Sequence, residues 1–233
     1  MTDVSAPLHE PAEQHRAYRR TREDITALLA RHAWPAQAGV PACPGWDVRD
    51  LIGHLVHICH SFIAGEESQI DLEPVAGLGL APLLGQWAAA DAAVGEALRR
   101  TPELRRRIVL LDVFSHEVDL LTCFGEPPAV DHPAFAGSLD LATMGFDLAV
   151  HGGGLPALRI VTPERDWVVG AGEPAASVRG PQLDVFRSLT GRRTWRQIER
   201  LDWSGAPPAT WVRAFTWGPF SPPDREVDPV RGS

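Results

Sequence analysis

The chain has 233 residues, 44% of them hydrophobic, with 30 acidic against 22 basic side chains and a net charge of −8. Such an acidic globular chain lacks the basic surface that nucleic acid or an anionic membrane requires. All 22 basic residues are Arg, and with neither Lys nor Asn in the sequence, lysine Schiff-base or phosphate-loop chemistry and N-glycosylation are excluded.

A polar lead-in reaches about Pro11. Tyr18, Ile25, Leu28 and Leu29 then recur at helical spacing among charges, which predicts an amphipathic helix over 15–32. In Cys43-Pro44-Gly45-Trp46-Asp47-Val48-Arg49-Asp50-Leu51, Asp47 is placed to cap a second helix and Asp50 to complete a capping box, with Trp46 and Leu51 as a hydrophobic staple. This helix is expected to run to about Glu66. Leu83, Leu84, Trp87, Val94 and Leu98 share one face of a third helix, 81–100. Thr101 followed by Pro102 predicts a cap and a first-turn proline for a fourth helix that ends at Gly125. A fifth is predicted over 133–150, and short links between such helices imply an antiparallel bundle.

The texture changes at His151-Gly152-Gly153-Gly154. Leu158–Val161, Trp167–Val169 and Ala175–Val178 read as strands, and Gln182 to Thr190 as a helix stopped by Gly191. The expected class is therefore α+β: a helical bundle over 1–152 and a small α+β domain over 153–233. Cys43, Cys59 and Cys123 are odd in number and widely spaced, which fits a reducing cytoplasm better than a disulfide framework. No signal-peptide pattern opens the sequence, and no apolar run approaches a membrane span.

The fourth helix carries the chemistry. Its first half is apolar almost all round, the pattern of a buried helix, yet Asp112, His116, Asp119 and Cys123 fall on one stripe roughly 60° wide at about 100° per residue. A carboxylate and an imidazole inside a bundle are costly unless they are paired or bind a metal. Asp112 and His116, one turn apart, can offer an oxygen and a nitrogen to one divalent ion. His54, at the edge of the second helix's apolar face, is the best third ligand, since His57 and His60 point further out. Two His and one carboxylate with open positions suit a catalytic Zn²⁺. The same spacing is compatible with a hydrogen-bonded Asp–His pair in a core. Asp119 reads as a residue behind the ligands or in an ion pair, and Cys123 as packing. The His151-Gly152-Gly153-Gly154 run lacks a Gly-x-Ser-x-Gly partner, so it reads as a linker.

The stretch Cys43 to Leu55 (CPGWDVRDLIGHL), followed by Asp112-Val113-Phe114-Ser115-His116-Glu117-Val118-Asp119, resembles the mycothiol-dependent maleylpyruvate isomerase family of DinB-like metal-binding bundles. The tail from Ala175 to Gly180 and on through Thr190-Gly191-Arg192-Arg193 resembles the small sterol-carrier-like domain that follows the bundle in these enzymes. The resemblance implies that the metal ligands are His54, Asp112 and His116, with Asp112 standing where the family usually has Glu, one methylene longer. It implies a divalent metal, most simply Zn²⁺, and mycothiol as thiol cofactor or co-substrate. The thiol would attack a small electrophile, in S-transfer or in thiol-assisted isomerisation, with Arg192 or Arg193 as candidate holders of a carboxylate or of the thiol's polar groups. On this reading no protein cysteine is needed for the chemistry. The resemblance also points to an actinobacterial source, in keeping with the Lys-free, Arg- and Ala-rich composition. Two other classes stay open: a metal-dependent hydrolase using zinc-bound water, and a non-catalytic binding protein of the same fold.

Overall fold

The computed structural model describes residues 9–66, 72–129 and 131–227. Most of the polar lead-in and the last six residues lie outside them. The described residues through Ser138 form one compact unit, and Leu139–Val227 form a second. The division falls inside a helix, whereas the composition changes after Gly152. The class is α+β.

In the first unit, helices α1 (Pro11–Arg31), α2 (Val48–Ala64), α3 (Leu80–Ala89), α4 (Asp91–Arg100) and α5 (Glu103–Cys123) pack together, with α1 and α2 both against α5. Ile25 and Leu29 of α1, Leu51, Ile52 and Phe62 of α2, and Phe114 and Leu120 of α5 are almost fully buried. Each such side chain contributes roughly 2 kcal/mol by leaving water. Polar tips inside this core find partners: Trp87 Nε1–H donates to the Tyr18 hydroxyl at 2.8 Å.

The capping box of α2 forms as expected, Asp47 accepting from the Asp50 N–H and Asp50 from the Asp47 N–H. Two expectations are corrected. The third predicted helix is two helices, broken at Ala90; Asp91, which opens α4, is clamped by Arg19 of α1 through two hydrogen bonds. Thr101 does not cap α5: its N–H closes α4 onto Ala97, and Pro102 sits at the N-cap position with no side-chain bond.

Helix α6 (Pro133–Gly152) crosses from the first unit into the second. There β1 (Leu158–Val161), β2 (Asp166–Val169), β3 (Ala176–Arg179) and β4 (Asp202–Gly205) form one sheet in the order β2-β1-β3-β4. β1 pairs parallel with β3, and the two outer pairs are antiparallel. Leu158, Ile160, Ala176 and Val178 alternate inward, as period-two strands with one covered face require. α7 (Gln182–Leu189) and α8 (Trp195–Glu199) complete the unit, with Phe186, Leu189, Ile198 and Trp211 in its core. A Cβ at Gly145 would lie 2.1 Å from the Trp217 ring, so only glycine lets that indole lie against α6. Among the described residues, no helix is long and apolar enough to cross a membrane.

Candidate metal centre

The loop that leads into α2 is fixed by its own backbone. Val40 N–H donates to Trp46 O, Trp46 N–H to Cys43 O, and Cys43 N–H to Val40 O, with an isolated bridge joining Gly39 and Asp47. The fold-back needs a left-handed residue, supplied by Gly45 at φ +85°. α2 therefore starts at a fixed point, and its second turn carries His54 towards α5. A cleft of about 590 Å³ opens over the loop, lined by Trp46, Asp47 and Asp50 among others.

The structure brings His54, Asp112 and His116 together. His54 Nε2 lies 3.6 Å and His116 Nε2 3.7 Å from Asp112 Oδ1, and one donor atom from each residue falls within 4.8 Å of the others. These separations are too long for hydrogen bonds. They are close to the roughly 3.3–3.5 Å edges of a tetrahedron of N and O atoms set about 2.0–2.2 Å from one ion. Nδ1 of His54, on an imidazole only 5% exposed, has no hydrogen-bond partner among the described residues. That nitrogen stays unpaired whether or not Nε2 holds an ion. The fit to a divalent metal rests on His54 Nε2, His116 Nε2 and Asp112 Oδ1, which lie at these separations. The Trp46 ring covers His54 at 5.2 Å between centroids, and the His54 and His116 rings meet edge to face at 5.2 Å.

Asp119 stands behind His116. Its Oδ2 accepts from His116 Nδ1–H at 3.1 Å, and its side chain is fully buried. That hydrogen bond keeps a proton on Nδ1, so Nε2 is the nitrogen turned towards Asp112. Burial pushes the His116 pKa down. The hydrogen bond to Asp119, the Cys43 contact and the charge of Asp112 outweigh it and lift the value to about 10. At neutral pH the metal-free ring therefore carries a proton on each nitrogen, and a cation at Nε2 would take the place of one of them.

Cys43, placed by the sequence only in the helix-entry motif, reaches this site. Its Sγ is 3.8 Å from His116 Nδ1 and 3.9 Å from Asp119 Oδ2. No periodicity signals this, because the cysteine lies on the irregular loop. Cys123 shares the α5 stripe but turns away and donates to Gly39 O. Arg192 donates to Thr190 O and stacks on Phe220, and Arg193 is bound to Asp184, all within the second unit. A further polar set, Asp24, Glu117 and His132, lies on another side of α5 and also has donor atoms within 4.8 Å.

No protein-family model matches the chain, and no curated protein matches it. Two solved structures are similar over most of it. A histidine-to-alanine mutant of the mycothiol-dependent maleylpyruvate isomerase aligns with TM-score 0.57 and 16% identity, over 85% of this chain and 95% of that one. The mycothiol-dependent maleylpyruvate isomerase itself aligns with TM-score 0.55 and 17% identity, over the same shares. At that identity the likeness is one of fold.

Proposed function

We propose that the chain is a metal-dependent enzyme that uses a low-molecular-weight thiol of the mycothiol type on a small electrophilic substrate, by S-transfer or thiol-assisted isomerisation. The observation that carries the reading is the convergence of His54, Asp112 and His116, two buried imidazoles whose Nε2 atoms lie 3.6 and 3.7 Å from one oxygen of a half-buried carboxylate. The fold shared with a mycothiol-dependent isomerase supports the choice of thiol chemistry over other metal chemistries.

His54 and His116 would give neutral imidazole nitrogens to a divalent cation, most simply Zn²⁺, and Asp112 one carboxylate oxygen. Bound there, the cation supplies Lewis acidity that holds a thiol in its deprotonated, nucleophilic form at neutral pH. Asp119 keeps the Nδ1 proton on His116 and so aims its other nitrogen into the pocket. Trp46 shields one face of His54 from water. With three protein ligands, such a cation would have room to accept a thiol, as catalytic zinc sites do.

The test is elemental analysis of the purified chain, followed by thiol-dependent consumption of small electrophiles. About one divalent ion per chain is expected, lost in His116→Ala while the helical circular dichroism persists. Full metal content in that variant overturns the ligand assignment. Turnover that proceeds equally without any thiol overturns the thiol chemistry and favours a hydrolase.

A further inference from the structure

His116 is shared by two donor sets. Its Nε2 faces His54 and Asp112, while its Nδ1 faces Asp119 Oδ2 at 3.1 Å and Cys43 Sγ at 3.8 Å, with Sγ to Oδ2 at 3.9 Å. We propose that Cys43, His116 and Asp119 form a second, sulfur-containing site for a thiophilic divalent cation such as Zn²⁺ or Cd²⁺, occupied in competition with the His54, Asp112 and His116 set. The proposal goes beyond the functional reading, because its own three donors stand whether or not the first set is ever filled.

The geometry fits. With metal–sulfur bonds of about 2.3 Å and metal–nitrogen or –oxygen bonds of about 2.0–2.2 Å, the donors of a tetrahedral site lie roughly 3.6 Å apart where sulfur is involved and about 3.3 Å apart for nitrogen and oxygen. The observed triangle departs from these values by a few tenths of an ångström. Two independent elements supply it, the hydrogen-bonded loop ahead of α2 and the middle of α5. Asp119 and His116 are buried, and Cys43 is half-buried, so an ion can enter from the loop side. A second cysteine does not join, since Cys123 is tied to Gly39 O. The donor types choose the cation: a thiolate favours zinc and softer ions, and offers little to Mg²⁺ or Ca²⁺.

Competition follows from the imidazole. A neutral ring has one lone pair, on whichever nitrogen lacks the proton. An ion at Nδ1 displaces the proton there, and the proton that Nε2 then carries faces Asp112 and closes the first set. The Cys43 thiol gives up its proton to solvent, and Asp119 exchanges a hydrogen bond for a metal bond. No oxidation or reduction occurs. One ion at a time is therefore held around His116, and its position is read in the ligand atoms.

The experiment uses the full chain and two variants that each cripple the first set, His54→Ala and Asp112→Asn. All three are titrated with Co²⁺ and with Cd²⁺ and followed by thiolate-to-metal charge-transfer absorption. Each variant is expected to bind about one Cd²⁺ per chain with that band, and adding Cys43→Ser should remove it. A variant that keeps its helical signal but shows no band overturns the proposal. So does a band that survives Cys43→Ser, because the sulfur is then Cys59 or Cys123. If both variants unfold, the full chain at saturating Cd²⁺, with and without Cys43→Ser, decides by the same criterion. Co²⁺ bound to the unsubstituted chain without a thiolate band supports the first set independently. A thiolate band already present there leaves the second site standing and overturns the ligand set of the functional proposal.

Discussion

Helix α5 carries three-donor sets on two sides, and they differ in one proton. On one side, His116 Nδ1–H donates to Asp119, so Nε2 is the nitrogen turned towards Asp112. On the other, His132 Nδ1 accepts the backbone N–H of Ala134 at 3.1 Å, which places the ring proton on Nε2. That proton faces Glu117 Oε2 at 3.3 Å, where a metal would have to sit. The first set offers two imidazoles and one carboxylate, the second one imidazole and two carboxylates, each within 4.8 Å, yet only in the second does a backbone bond fix the proton on the nitrogen that faces its partners. Counting donors finds both clusters; the hydrogen bond behind each imidazole separates them.

The sharpest way to break this comparison is to remove each histidine in turn. His54→Ala should cost the native nitrogen–oxygen metal site, while His132→Asn should leave metal content unchanged. Metal analysis of both proteins checks this, and loss of metal in the His132 variant would make the second set a ligand site after all.

Asp119→Ala should weaken metal binding by about 10–100-fold, since it removes the acceptor that orients His116. Competition with a chelator of known affinity measures it. An unchanged affinity would show that the tautomer of His116 is set by something other than Asp119.

The second set should be visible in stability rather than in metal. Burial holds the His132 pKa down at about 4, so the folded state requires the neutral ring. The contribution of that ring is fully present above its ordinary value of 6.5 and is lost as pH falls through about 4. His132→Asn keeps an acceptor for Ala134 N–H and does not titrate. It should cost about 1–3 kcal/mol at neutral pH through the lost stack on Phe114, and the deficit should shrink as pH falls below 6.5. Denaturant melts of metal-free protein across that range measure it, and a deficit that grows in acid would reverse the assigned charge state.

Asp112→Glu is expected to hold or tighten the metal, with the smallest change of the series. The extra methylene extends a carboxylate that now lies 3.6 and 3.7 Å from its two histidine neighbours. A clear loss of metal would show the pocket to be built around Asp.

What the sequence reveals tracks periodicity. The Asp112, His116 and Asp119 stripe is legible because a helix repeats every 3.6 residues, and the start of α2 because a capping box has a fixed spacing. Cys43 is not legible as a neighbour of His116, since only the fold-back at Gly45 brings it there. Glu117 is hidden by the apolar residues around it, and its partner His132 lies just ahead of α6, outside any repeat. The break at Ala90 leaves no mark in an alanine-rich run, and the contact beside it, Arg19 on Asp91, comes from far away in the chain. β4, with exposed and half-buried residues only, lacks the alternation that betrays β1 and β3.

Because His116 and Glu117 are adjacent yet face different buried clusters, α5 is keyed on two sides at once. One residue inserted ahead of Asp112 would turn everything beyond it by about 100°, carrying both polar faces against apolar neighbours. No rotation or slide of the helix repairs one side without spoiling the other. Over evolutionary time this helix can change its side chains but not its length, and insertions in this part of the chain are confined to its ends, such as the turn at Gly125, where the backbone is left-handed at φ +71°.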